Sequence, residues 1–329
     1  MSKVFVTGPD GLLGSNIVRE LLERKYEVRA MLFHNRRPIT LIDLPIEIVY
    51  GNIMNREEIL RLSEGCEYVI NVAAITDMWP SRSPIFHKIN VEGAENVIEA
   101  VLVNKVKRMV HIGSASSFGF GSIENPGNEE TPFRSAKYGL DYIDSKREGQ
   151  LRVQKAVKER GLNAVIVCPT FMIGPYDFKP SSGAMIIAIA HAQIPAYSSG
   201  GKNWVYVKDV AVAACNAMTM GRAGEAYIAG GENLSYKDAV KRIAAALDQK
   251  KLPKFVMPSF LLKLSGGLLS LISLFTKKAP KLSYRMACIA CDHHYFSPAK
   301  AVKELQMPQT PIEVGVKEAR AWFLHNDYL

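Results

Sequence analysis

The sequence predicts an α/β fold: a doubly wound parallel sheet with a smaller, mostly helical C-terminal region. Three observations carry this. Short apolar runs alternate with amphipathic stretches of about 12 to 20 residues, a glycine-rich turn joins the first run to the first stretch, and the alternation loosens after Pro169. In order, the strand-like runs are 3–7, 27–32, 46–50, 67–72, 107–113 and 163–168, with helical patterns between them. Their near-continuous Val, Ile and Leu content suits strands buried on both faces of a parallel sheet. Pro, Gly and Ser then crowd 169–203, followed by a strand at 203–207, a helix from Asp209, a strand at 225–229 and mostly helices to the end.

Composition narrows the class. The 329 residues are 48% apolar and 22% charged, which excludes a disordered or fibrous chain. The opening Lys3–Thr7 run reads as a strand rather than a secretory leader, giving the expectation of a cytoplasmic protein. The apolar stretch Phe255 to Phe275 is interrupted by Lys263 and Gly266-Gly267, so it is read as a helix pair, short of a transmembrane span. Cys288 and Cys291 stand alone without a second pair, so no metal site is assigned. The net charge of +9 is uneven: 22 basic and 21 acidic residues up to 165, then 19 and 11. Between Asp248 and Asp292 lie eight Lys or Arg and no acid, around that apolar stretch. Such a surface suits an anionic substrate, a cofactor phosphate or a lipid headgroup layer, leaving peripheral membrane contact open. No recognised nucleic-acid module accompanies the charge, so nucleic-acid binding is not expected.

The first motif is Thr7-Gly8-Pro9-Asp10-Gly11-Leu12-Leu13-Gly14, at the turn from strand one into helix one. Glycines there let the backbone approach a pyrophosphate, whose charge the helix N-terminus favours. Gly8, Asp10, Gly11, Leu12, Leu13 and Gly14 are therefore candidate dinucleotide-binding residues. After strand two, an acid would favour NAD, but the chain reads His34-Asn35-Arg36-Arg37, with the next carboxylate along the chain at Asp43. His34, Arg36 and Arg37 instead offer charge-assisted bonds to a 2′-phosphate, so NADP is preferred and NAD is the lesser expectation.

The second motif is Tyr142-Ile143-Asp144-Ser145-Lys146 in the helical pattern before strand six. Four residues apart, the phenol and the ammonium share a helix face. Bringing a phenol from its ordinary value near 10 to about 7 needs roughly 4 kcal/mol, which Lys146 and a cationic nicotinamide could supply. Strand five runs into Ser114-Ala115-Ser116-Ser117-Phe118-Gly119, and a serine at the carboxyl edge of a parallel sheet faces the ligand crevice.

Together these residues resemble the extended short-chain dehydrogenase/reductases, the NAD-dependent epimerase/dehydratase superfamily with a Rossmann sheet. TGPDGLLG resembles their cofactor loop, Tyr142 and Lys146 their YxxxK pair, and Ser114 their catalytic Ser or Thr. Gly51-Asn52-Ile53 is similar to GD(I/L), with Asn for Asp, and Asn71-Val72-Ala73-Ala74 to H-x-A-A, with Asn for His. Asn90-Val91-Glu92-Gly93 resembles NVxGT, Pro169 to Pro175 the RPxxxxGP turn, and Val205 to Val210 the VxVxDV segment, with Lys208 where an acidic or polar residue is usual. The resemblance implies catalytic roles for Ser114, Tyr142 and Lys146. It adds Asn52, Ile53, Val72, Ala73, Ala74, Asn90, Pro169, Phe171 and Met172 to the cofactor contacts. Substrate walls are expected from Thr76, Trp79, Phe118, Ser114 and Tyr142, with His293-His294 as surface residues before a strand-like Tyr295-Phe296.

Within the superfamily the chain looks most like the dihydroflavonol 4-reductase group and 3β-hydroxysteroid dehydrogenases. Ala115 and Ser116 stand where the sugar 4,6-dehydratases place Asp-Glu, which disfavours dehydration. The resemblance implies an NADP(H)-dependent reductase acting on an apolar carbonyl compound, and a homodimer. A nucleotide-sugar epimerase holding NAD tightly, or a cofactor-sensing binding protein without turnover, are the alternatives. On this reading 1–175 bind the dinucleotide, 204–230 return to that unit, and 176–203 with 231–329 mainly bind substrate.

Overall fold

The computed structural model describes residues 2–329. The chain runs β1 (Lys3–Thr7), α1 (Leu12–Glu23), β2 (Glu27–Leu32), β3 (Glu47–Tyr50), α2 (Arg56–Ser63), β4 (Tyr68–Asn71), α3 (Pro84–His87), α4 (Gly93–Val103), β5 (Arg108–Ile112), α5 (Asp141–Arg160) and β6 (Ala164–Pro169). It continues β7 (Phe171–Ile173), α6 (Gly183–Ala190), β8 (Gly201–Tyr206), α7 (Val207–Asn216), β9 (Ala226–Ala229), β10 (Glu232–Ser235), α8 (Tyr236–Ala246), α9 (Ser259–Thr276), α10 (Tyr284–Cys291), β11 (His293–His294), α11 (Ala299–Leu305) and α12 (Ile312–His325).

Seven strands form one parallel sheet in the order β3-β2-β1-β4-β5-β6-β9. Every residue of β4 and β6 is buried, as a sheet covered on both faces requires. One apolar layer joins Ile17 and Leu21 of α1 and Val210 and Ala214 of α7 to the sheet. The opposite layer holds Ile59 of α2, Val97 and Val101 of α4 and Val153 of α5. Strand order reverses between β1 and β4, and a crevice outside the carboxyl ends at such a switch point is where α/β sheets bind ligands.

The doubly wound sheet matches the sequence expectation, its strands starting and ending within about a residue of the predicted runs. Where a lone strand was expected at 203–207, however, there is a second sheet: β8 pairs antiparallel with β10 on one side and parallel with β7 and β11 on the other. β7, β10 and β11 are two to four residues long, too short to carry a period. The expected helix pair in the apolar stretch is instead one continuous helix, α9. Gly266 does not break it, because it is the point where Ser283 and Ala287 press against the helix: a Cβ there would lie 2.9 Å from each.

Candidate active site

The turn after β1 is shaped by what its glycines allow. Gly8 has φ +62°, and a Cβ on Gly14 would lie 2.1 Å from the Gly8 carbonyl oxygen, so α1 can close on the turn only with glycine there. Gly11 is different: it is exposed, and its Cβ would meet nothing nearer than 3.8 Å. It opens α1 with no side-chain cap, so the N–H groups of Leu12 and Leu13 are left for a ligand while their side chains sit in the core. That uncapped N-terminus beside an exposed glycine fits a pyrophosphate.

Beneath the turn, Thr7, Asn71 and His111 stand in register across β1, β4 and β5. The Thr7 hydroxyl donates to Asn71 Oδ1 at 2.7 Å and accepts from the Val72 and Ala73 N–H groups at 3.1 Å. Asn71 Nδ2 lies 3.2 Å from His111 Nδ1. Burial, and then the Lys146 charge, push the His111 imidazole down to about 3. It stays neutral, so this row fixes the Val72–Ala73 backbone without a buried charge. Asn71, where the family pattern has His, works as the amide bridge in the row.

Arg36, Arg37 and Asp10 line a cavity of about 220 Å³ with Ile39, Thr40, Phe178 and Lys179. Arg36 Nη1 is 2.5 Å from Asp10 Oδ2. Lys179 was not legible in the sequence, because it reaches the cavity from beyond β7. His34 does not join this group; its Nε2 faces Glu58 Oε2 at 3.2 Å, and the same oxygen accepts the Asn52 N–H at 2.6 Å. That hydrogen bond holds the Glu58 carboxyl below its ordinary range. A carboxylate thus stands beside the end of β2 after all, supplied by α2. Ile53 packs against Gly93, and the Asn90 amide is taken up by both backbone groups of Ile75, at 2.9 and 3.0 Å, and by Ser145 Oγ at 2.9 Å. Asn90 therefore ties the Val72–Thr76 segment to α5 rather than reaching into the cleft.

At the end of β5, Ser114 caps the turn 115–117, and its Oγ lies 2.7 Å from Ser116 Oγ. It also acts on the Tyr142 phenol, from the first turn of α5, favouring its ionised form. Lys146, one turn on, is buried and donates from Nζ to the Ile112 carbonyl at 2.6 Å. The three residues converge at one strand end. Burial raises the Tyr142 phenol, which the Ser114 hydroxyl only partly offsets, and lowers the Lys146 ammonium to about 8. The expected lowering of the phenol by Lys146 is absent in the protein alone, because the ammonium is turned to Ile112.

The walls differ from expectation in two places. Phe118 is buried among Phe5, Met109 and Val153, so it is core. Phe120 borders the cluster of Tyr138, Leu140, Ile143 and Ile289 together with Met78 and Tyr142. Thr76 is exposed and Trp79 half-buried in the loop between β4 and α3. His294 is not a surface residue. Its ring lies 4.2 Å from that of Phe120, its Nε2 is 3.0 Å from Tyr138 Oη, and burial pushes it down to about 3. Tyr138 and Lys137 both donate to Asp292 Oδ2, at 2.5 and 2.7 Å. Tyr295 and Phe296, expected as strand, make single bridges to Gly121 and Gly127. Pro169 ends β6 and Met172 pairs with Val205 of β8, its side chain packed on the core, while Phe171 meets Trp204 edge-on at 4.9 Å with Lys202 Nζ 4.4 Å above its ring. Burial lowers Lys202 to about 8, and no carboxylate pairs with it among the described residues.

Residues 4–230 match the model of the NAD dependent epimerase/dehydratase family. A Synechocystis protein named as a dihydroflavonol 4-reductase is 29% identical, covering 99% of this chain and 95% of its own. Sterol demethylase protein B of Methylococcus capsulatus is 28% identical, covering 97% of each. The crystal structure of gox2253 superposes with a TM-score of 0.87 at 28% identity over the full length of both chains. The chain therefore belongs to the NAD dependent epimerase/dehydratase family, the extended short-chain dehydrogenase/reductases, and is an oxidoreductase.

Proposed function

We propose that the protein transfers hydride between NADP(H) and the carbonyl or alcohol carbon of a fairly apolar small molecule, in the manner of dihydroflavonol 4-reductase. The gathering of Ser114, Tyr142 and Lys146 at the carboxyl end of β5, with Lys146 Nζ held on the Ile112 carbonyl, is the observation that carries this reading. The dinucleotide, when bound, supplies or accepts the hydride. Gly8, Gly11 and Gly14 with the α1 N-terminus would hold its pyrophosphate, and Val72 to Ala74 would lie under it. Asp10-anchored Arg36, with Arg37 and Lys179, would hold its 2′-phosphate.

In reduction, the Ser114 hydroxyl turns from Ser116 to the substrate's carbonyl oxygen. The Tyr142 phenol, kept protonated by its burial, donates its proton to that oxygen as the carbon gains the hydride. Lys146, leaving the Ile112 carbonyl, stabilises the phenolate that results. The alcohol product carries the transferred hydrogen on carbon and the Tyr142 proton on oxygen. Oxidation runs the same steps backwards.

Lys202 favours a second reading. An unpaired ammonium over Phe171, beside the Phe120–His294 wall, would suit the diphosphate of a nucleotide sugar and so an epimerase. One experiment separates the two. Purified protein is scanned for bound nicotinamide, then assayed with NADPH and NADH against apolar ketones, aldehydes, alcohols and nucleotide sugars. NADPH oxidation by carbonyl compounds supports the reductase; retained NAD with sugar interconversion supports the epimerase.

A further inference from the structure

The surface of α9 is turned inside out for a water-soluble helix. Phe260, Leu264, Leu268, Leu271 and Phe275 recur at spacings of three and four, so they share one face, and they are 57–88% exposed. On the opposite face, Gly266 and Ser273 are buried and Ser270 accepts the Tyr284 N–H at 2.9 Å, letting α10 close on the helix. The bulky side chains point out and the small ones in. A contiguous apolar strip along some 18 residues exceeds what a soluble surface ordinarily tolerates.

Lysines flank the strip: Lys254 precedes α9, Lys263 lies within it, and Lys277, Lys278 and Lys281 follow it. All five lie in the acid-free span between Asp248 and Asp292, and none makes an ion pair among the described residues. An apolar face flanked by cations is the pattern of a helix lying in the headgroup boundary of an anionic bilayer. A second copy fits poorly, because pairing two such faces would bring lysine to lysine with no carboxylate between them. By length and hydropathy α9 could also cross a membrane, but both its ends are tied to the same body. Just before it, Met257 and Tyr197 pair through backbone, and just after it Lys278 accepts from Ser273 and α10 folds back along the helix.

We propose that α9 is a monotopic anchor: its Phe260–Phe275 face inserts into the surface of an anionic phospholipid bilayer, and the flanking lysines bind the headgroups. The inference is independent of the reaction catalysed.

The test is flotation of the full-length protein with vesicles of phosphatidylcholine alone or with about a third phosphatidylglycerol. Wild type is expected to float with the anionic vesicles, at least tenfold more than with phosphatidylcholine alone, and to be largely released by about 1 M salt. The variant Leu264→Ser, Leu268→Ser, Leu271→Ser, Phe275→Ser should lose flotation while keeping its Tm, since those side chains are exposed. Lys277→Glu, Lys278→Glu, Lys281→Glu, which leaves the apolar face intact, should lose at least tenfold on anionic vesicles. Wild type that stays down with every vesicle overturns the proposal, as does a serine variant that floats like wild type. A concentration-dependent dimer that the serine variant dissolves, without wild-type flotation, assigns the face to a second copy instead.

Discussion

Replacing both Arg36 and Arg37 with Ala should change cofactor preference, and the size of the change follows from the cavity they line. Each arginine would place a charge-assisted hydrogen bond on the 2′-phosphate, worth roughly 1.5–3 kcal/mol. The Arg36 side chain is 45% exposed, so solvent screening cuts this to about 1 kcal/mol each. Their joint loss is about 2 kcal/mol, or roughly 30-fold in NADPH Kd. Arg36 also neutralises Asp10 at 2.5 Å, and its removal would leave a carboxylate facing the phosphate, which deepens the loss. NADH has no phosphate there and should weaken by threefold or less. Titration of nicotinamide fluorescence with both cofactors measures both Kd values. Equal losses for NADPH and NADH would refute the phosphate assignment. Asp10→Asn is the converse test and should tighten NADPH selectively.

Three further outcomes are expected. Lys146→Met should abolish turnover yet stabilise the protein alone. Burial holds the ammonium near 8 against an ordinary 10.5, a cost of about 3 kcal/mol below pH 8, less about 1 kcal/mol for the lost bond to Ile112. Between pH 8 and 10.5 the unfolded chain binds the proton that the folded one has lost, so wild-type stability rises there and the variant's advantage in Tm fades. Gly14→Ala should prevent folding, because its Cβ would sit 2.1 Å from Gly8 O, whereas Gly11→Ala should fold with unchanged Tm and weaken NADPH and NADH alike. Asn90→Ala strips both Ile75 backbone groups of their side-chain partner and removes one of Ser145's two hydrogen bonds, costing about 2–3 kcal/mol and a few degrees of Tm by calorimetry.

Residue periodicity made the parallel sheet legible because its central strands are buried apolar runs, and the glycine spacing and YxxxK pair located the turn and the phenol at the same carboxyl edge of that sheet. What escaped depends on segments far apart in the chain. Glu58 reaches His34 from α2, and Lys179 joins Arg36 in lining one cavity from beyond β7. His294 reads as polar surface, yet it is drawn under Phe120 and Tyr138 by a two-residue strand pairing with β8. Phe118 and Phe120 cannot be told apart by composition; the 115–117 turn after Ser114 decides which one enters the core. Gly266-Gly267 looks like a break only until α10 is seen against it.

The most direct test of the account is single-turnover NADPH oxidation by Tyr142→Phe, run beside wild type on a carbonyl compound that wild type reduces, with NADPH Kd measured on the same samples. Loss of at least a thousandfold in rate with Kd within threefold is the predicted result. A variant that turns over at the wild-type rate would show that the phenol at the end of β5 is not the proton donor.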